Sequence, residues 1–175
     1  QPDFSFTRRL RASASELGDV DVAAKFEEVK GKYFVYEAYN DVNCLVEMDE
    51  SPPEAVNADA LRVALQVAVL LHAEVVHAVC FMRKVVVDGS NVSGFQRTAV
   101  IGLNGYLETS QGRVSILSVS LEEEAAKKEE ATKEFVRYNI SRLGIPLVEI
   151  ATGPDMKSPE HAKEVAGVIG MVLRS

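Results

Sequence analysis

The chain has 175 residues, 47% hydrophobic and 26% charged, with a formal net charge of −7. This is the composition of a folded globular protein with enough length for one domain and a substantial core, not of a disordered chain. The acidic balance argues against a protein that holds nucleic acid by broad phosphate neutralisation, although a local basic patch is compatible with it. Cys44 and Cys80 have neither CxxC spacing nor a disulfide-dense setting, so both are expected as reduced, buried side chains of an intracellular, cytoplasmic protein. The most apolar stretch, 63–79, is interrupted by Gln66, His72, Glu74 and His77 and is not expected to cross a membrane. The chain opens on Gln1 and closes on "GMVLRS" within a helical pattern, which reads as a piece of a longer protein.

Residues 1–30 read as a polar lead-in, with the arginine-rich "TRRLR" of Thr7 to Arg11 early in it. "DVAAKFEEVK", Asp21 to Lys30, predicts a short helix with Val22, Phe26 and Val29 on one face, stopped by Gly31. From 31 to 175 the pattern is one of sheet and helices within a single partial domain. "YFVYEAY" and "CLVEMDE" are rich in β-branched and aromatic residues and flank the turn-forming "NDVN", which predicts a hairpin. Asn57 is a good N-cap, and Leu61, Ala64, Leu65, Ala68 and Leu71 recur at helical spacing, so a helix over 58–71 is expected.

"VVHAVCFMRKVVVD" and "RTAVIGLNGYLET" read as two strands joined by the loop "GSNVSGF". A turn at Gln111 and Gly112 leads into the strand "RVSILSVSL", and Lys127 to Lys133 is a charged, solvated segment. "EFVRYNI", the turn "SRLG" and "IPLVEI" add two short strands. The last helix carries Ser158 as N-cap, Pro159 in the first helical position and an apolar stripe of Val165, Val168, Ile169 and Val172. Adjacent strands joined by short turns, without strict βαβ alternation, predict an α+β fold: a largely antiparallel sheet covered by helices.

Glu122, Glu123 and Glu124 follow directly on an apolar strand. Either they begin a helix, with Glu123–Lys127 and Glu124–Lys128 as i, i+4 pairs, or they hold a cation. Period-2 reading places Leu117, Val119 and Leu121 on the core face, and Ser118, Ser120 and Glu122 on the other. In "GIPLVEI", Pro146, Val148 and Ile150 share a face and Leu147 and Glu149 the opposite one. Glu149 inside an apolar strand needs a partner: an arginine such as Arg97 or Arg142, or a metal shared with the other glutamates. The segment from Arg83 and Lys84 through "DGSNVSG" to Arg97 has neither a Walker A nor a GxGxxG pattern. It does offer cations at both ends and small residues between, which suits either a phosphate or a solvated loop. His72, His77 and His161 lack metal-ligand spacing and read as ordinary surface or core residues.

Four separated segments, "QPDFSFTRRLR", "RKVVVDGSNVSGFQRT", "SLEEEAAKK" and "RLGIPLVEIATGPDMKSPEHAKEVA", occur in the order found in one family. Together they resemble the GatB/GatE family of glutamyl-tRNA(Gln) amidotransferases, most of all its archaeal GatE branch, with bacterial and organellar GatB as the more distant relative. The resemblance implies a catalytic cradle domain of the glutamine synthetase and guanido-kinase type. It further implies a ligase that uses ATP and Mg²⁺ to phosphorylate the γ-carboxylate of tRNA-bound glutamate, after which ammonia displaces the phosphate. A separate asparaginase-like partner protein would supply the ammonia and the tRNA(Gln) acceptor end would carry the substrate, with no membrane or DNA partner.

Position by position, the resemblance assigns Glu122, Glu123 and Glu149 to the metal. It assigns Arg83, Lys84, Ser93, Gln96 and Arg97 to the nucleotide and acceptor-end pocket. Glu124, where relatives often carry Asp, is left out. The family's first catalytic strand, with a metal-binding histidine, is expected upstream of Gln1, so the fragment alone is expected to be inactive. The alternative from a different class is a non-catalytic assembly domain of the same fold that docks another protein of the complex.

Overall fold

In the computed structural model the described residues are 1–10, 12, 14 and 17–175; Arg11, the last residue of the arginine-rich patch, lies outside them. The fold is α+β, as expected. Where the sequence shows no boundary, the chain gathers into two compact units. The first comprises Gln1–Ala55, Arg83–Arg97 and Glu123–Ile145, and the second Val56–Met82, Thr98–Glu122 and Pro146–Ser175.

The first unit is built on a four-stranded sheet. β1 (Phe4–Arg9) pairs antiparallel with β2 (Tyr33–Ala38), placing Phe4 opposite Ala38. On its other side β2 pairs in parallel with β8 (Phe135–Asn139), which is antiparallel to β7 (Lys127–Ala131). Alternation along β2 and β8 buries Phe34, Tyr36, Ala38, Val136 and Tyr138 with Ala126, Ile140 and Leu143 in one core. The lead-in thus contains a strand: β1 lies at the sheet edge, and only its Phe6 and Arg8 are partly covered. The charged segment after Ala126 is also a strand, β7, exposed along its length. Pairing needs only backbone groups, and charged side chains suit an edge.

The predicted hairpin of Tyr33–Tyr39 with Cys44–Glu50 does not form, because β1 and β8 occupy both edges of β2. Residues 44–50 fold into turns instead. Asn43 Oδ1 accepts the Tyr39 N–H at 3.0 Å, its Nδ2 donates to the Ile140 carbonyl at 2.8 Å, and the Glu47 carboxylate accepts the Cys44 N–H at 2.7 Å. Such short-range bonds satisfy groups that a ladder would otherwise use. Cys44 and Cys80 are exposed rather than buried. The helix α1 (Val22–Val29) forms, with the Asp21 carboxylate accepting the Ala24 N–H at 2.9 Å. Its expected apolar face, however, is solvent-exposed at Val22, Phe26 and Val29, and only Ala24 is buried.

A five-stranded sheet has the order β3 (Glu74–Val75), β5 (Phe95–Thr109), β6 (Gly112–Glu123), β9 (Pro146–Thr152), with β4 (Phe81–Val85) also on β5; most of it belongs to the second unit, while Arg83–Val85, Phe95–Arg97 and Glu123 are counted in the first. The stretch 75–88 therefore forms two short strands rather than one. α2 (Ala58–Leu70) begins where Asn57 Oδ1 accepts the Ala60 N–H at 2.9 Å, and α3 (Pro159–Val172) where Ser158 Oγ accepts the His161 N–H at 3.1 Å. Both helices pack on the sheet: Ala64, Val67, Ala68 and Val165 join Ala99, Ile101, Val114, Ile116, Val119 and Leu121 in one core.

Strict alternation from Leu117 to Leu121 is broken, since Val114 and Ile116 share this core with Val119 and Leu121 while Leu117 is exposed. The break coincides with Asn104 on β5, at φ 54°, between the pairs Leu103–Ser118 and Gly105–Ile116. His161 is a buried structural residue. Lys157 N–H donates to its Nδ1 at 3.3 Å, and Nε2 lies 2.8 Å from Thr109 Oγ1.

Each unit offers a contact whose loss should register in stability. Gly89 has φ +83°, and a Cβ there would stand 2.3 Å from Phe34 Cδ1. Gly89→Ala should cost at least about 2 kcal/mol from backbone strain and overpacking together, read as a lower denaturation midpoint. In the second unit Ser115 Oγ and N–H donate to Asp155 at 2.5 and 2.8 Å, holding its carboxyl below the usual carboxylate range. A carboxyl depressed in the folded state stabilises above its unfolded pKa and loses that contribution as pH falls through its folded value. Asp155→Asn should therefore lower Tm at neutral pH, and the difference from wild type should close on acidification.

Candidate active site

The register of β5 against β6 pairs Ala99 with Leu121 and Val100 with Ser120. One and two steps further along, Thr98 meets Glu122 and Arg97 meets Glu123. Thr98 Oγ1 donates to Glu122 Oε1 at 3.1 Å, and this carboxylate is buried at 3% exposure. Arg97 Nε donates to Glu123 Oε1 at 2.6 Å, and Arg97 Nη2 reaches the same oxygen. The Glu123 backbone carbonyl accepts Gln96 Nε2 at 2.6 Å, while Arg97 Nη1 donates to the Glu54 carbonyl at 2.7 Å. Neighbouring glutamates thus meet different partners, as consecutive side chains of an extended strand do.

No helix begins at Glu122. β6 runs through Glu123, and Glu124 continues the pairing: its N–H donates to the Ile145 carbonyl at 2.7 Å and its carbonyl accepts the Gly144 N–H at 3.0 Å. Gly144 at φ +85° makes this a glycine bulge, a position that favours a residue without a Cβ. Arg142 Nη2 donates to the Glu124 carboxylate at 2.8 Å and holds it below the usual carboxylate range. Arg97 thus holds Glu123, and Arg142 holds Glu124.

Glu149 lies on β9, next to β6, and is exposed rather than buried. Val148 and Ile150 pack on the same core as Val119 and Leu121. By alternation Glu149 and Glu122 then share the opposite face of the sheet. Two carboxylates, completed by substrate phosphates and water, are what Mg²⁺ ordinarily takes from a protein. Among the described residues no three His, Cys, Asp or Glu side chains are grouped closely enough to hold a metal ion by themselves.

The phosphate-segment candidates divide. Gln96 and Arg97 come together on Glu123. Arg83 and Lys84 are exposed on β4, with the Arg83 guanidinium 5.8 Å from the centre of the Phe95 ring. Ser93 closes a turn: its N–H and Oγ lie 3.1 and 2.7 Å from Asn91 Oδ1. Thr98 was missed by sequence reasoning, although its place directly after Arg97 and its period-2 relation to Gln96 carried the signal.

The Arg97–Glu123 pair is about four-fifths buried on both sides and doubly bonded, so it should couple more strongly than a surface ion pair. A double-mutant cycle with Arg97→Gln and Glu123→Gln should give a coupling energy of about 1–2 kcal/mol in denaturant unfolding.

The sequence pattern of the GatB/GatE catalytic domain matches residues 10–175. The chain is 54% identical over 175 residues to the GatE protein of the glutamyl-tRNA(Gln) amidotransferase of Methanocaldococcus jannaschii, covering 100% of this chain and 28% of that protein. It is 54% identical over 173 residues to the corresponding protein of Pyrococcus furiosus, covering 99% and 28%. Against that of Archaeoglobus fulgidus it is 51% identical over 175 residues, again covering 100% and 28%. The chain thus spans just over a quarter of the length of these relatives.

Proposed function

Since the chain belongs to the GatB/GatE catalytic-domain family, we propose that it carries the catalytic site of an ATP- and Mg²⁺-dependent ligase that turns tRNA-bound glutamate into glutamine. The reading includes the glutamine synthetase-like relationship, the tRNA(Gln) acceptor end as substrate carrier and an asparaginase-like partner protein as ammonia source. Its main support is the arrangement of Glu122 and Glu149: two carboxylates on one non-core face of a single sheet, one of them buried. A buried carboxylate is costly unless compensated, and a bound cation would compensate Glu122 in addition to the Thr98 hydroxyl it already accepts.

The chemistry requires a carboxylate to become an acyl donor. The γ-phosphoryl group of ATP passes to an oxygen of the glutamyl γ-carboxylate and ADP leaves. Ammonia then adds to the acyl carbon, phosphate departs with the carbon–oxygen electron pair, and a proton is released. Glu122 and Glu149 would hold Mg²⁺, which when bound neutralises charge on the ATP phosphates. Glu123, tied to Arg97, acts as a positioning residue: it orients the guanidinium and, with Gln96 on its carbonyl, stiffens the end of the "SGFQRT" segment. The family resemblance assigns the positive charge of Arg83, Lys84 and Arg97 to phosphate binding, and Ser93 shapes the loop between them.

The test is Glu149→Gln, beside Glu122→Gln, in the full-length protein assembled with its ammonia-supplying partner. Each should reduce Mg²⁺-dependent ATP turnover driven by Glu-tRNA(Gln) on the order of a hundredfold or more, with Tm little changed for the exposed Glu149. Wild-type turnover in Glu149→Gln would favour a non-catalytic assembly domain of the same fold.

A further inference from the structure

The loop joining β4 to β5 is held from beneath by three consecutive carbonyl contacts, all within the first unit. Tyr138 Oη donates to the Asp88 carbonyl at 2.7 Å, Tyr36 Oη to the Gly89 carbonyl at 2.7 Å, and the Ala126 N–H to the Ser90 carbonyl at 2.8 Å. Tyr36 and Tyr138 sit at the same height on adjacent parallel strands, their rings 5.9 Å apart and nearly parallel, each only 1% exposed. Phe34 closes against Gly89 beside them. The upper part of the loop is closed by its own bonds, Val86 N–H to the Gly94 carbonyl at 2.9 Å and Gly94 N–H to the Asn91 carbonyl at 3.1 Å.

A tyrosine hydroxyl adds nothing to a core that a phenylalanine would not supply, and when buried it needs an acceptor. Here both hydroxyls find theirs in adjacent peptide groups of one loop. We propose that Tyr36 and Tyr138 are positioning residues for the 86–94 loop, fixing its height over the β2–β8 sheet so that Arg83, Lys84 and Arg97 at its two ends engage the ATP phosphates in a preset arrangement. This rests on the reading of that segment given under Proposed function. Burial raises both phenols, Tyr138 up to about 12, so the hydroxyls stay protonated and donating through the neutral range.

The experiment uses the intact complex with Tyr36→Phe, Tyr138→Phe and the double substitution, which keep the rings and their packing. In the double variant the amides of Val86 and Gly94 should exchange with solvent roughly tenfold faster, the effect expected of a lost buried hydrogen bond, while the β2–β8 ladder keeps its protection. KM for ATP should rise roughly tenfold with kcat changed by less than about twofold. Unchanged protection at Val86 and Gly94 overturns the proposal. So does exchange that quickens equally in the loop and the ladder, which would make the tyrosines general stabilisers of the sheet. A loosened loop with unaltered KM removes the link to ATP. Where Glu122→Gln abolishes turnover in the same preparation, such a result counts against the tyrosines. Where Glu122→Gln retains full turnover, the ligase reading itself fails, and the exchange data still decide whether the hydroxyls hold the loop.

Discussion

The pairing of Ala99 with Leu121 decides what each glutamate at the end of β6 can do. With this register Thr98 faces Glu122 and Arg97 faces Glu123, so a hydroxyl meets the fully buried carboxylate and a guanidinium meets the partly buried one. A slip of one residue would send Val119 and Leu121 out of the core and bring Glu122 into it. The apolar residues therefore hold the register, and the charged residues inherit their positions from it. The bulge at Gly144 then carries the chain from its contact with Glu124 into β9, where Val148 and Ile150 keep their core side and Glu149 takes the other.

In the first unit the governing constraint is that both edges of β2 are occupied. Its parallel pairing with β8 sets Tyr36 beside Tyr138 and Phe34 beside Val136, and the resulting aromatic layer supports the loop that separates Lys84 from Gln96. The same arrangement explains why Gly89 stands where it does: there is no room over Phe34 for a side chain, and the positive φ is least costly without one. The loop and the sheet beneath it must therefore match residue by residue, although they come from well-separated parts of the chain.

Much of the architecture was legible because it rests on local rules. Asn57 and Ser158 announced the starts of α2 and α3, the helical spacing of Ala64 and Ala68 announced a buried face, and alternation set Val148 and Ile150 on the face of β9 opposite Glu149. The hairpin expected after Tyr39 failed because local turn propensity says nothing about which strand captures an open edge. Val22, Phe26 and Val29 lie on one helical face as periodicity requires, yet that face is exposed; spacing predicts a stripe but not what covers it. The helix start expected at Glu122 failed for a related reason, since first-turn acidity and i, i+4 charge pairs are weaker than the continuing β6 ladder.

By itself the sequence determined the α+β character, the helix caps, the family through four ordered motifs, and the residue types available for phosphate and cation chemistry. These depend on neighbours along the chain or on the motif residues as written. Tertiary structure alone decided that Glu122 is buried against Thr98 while Glu123 is bound to Arg97, that Glu149 is exposed on the face Glu122 shares, and that two distant tyrosines hold one loop. Each of these depends on strand register and strand order, and both are set by the collective burial of apolar side chains far apart in the chain rather than by any charged residue's own surroundings in sequence.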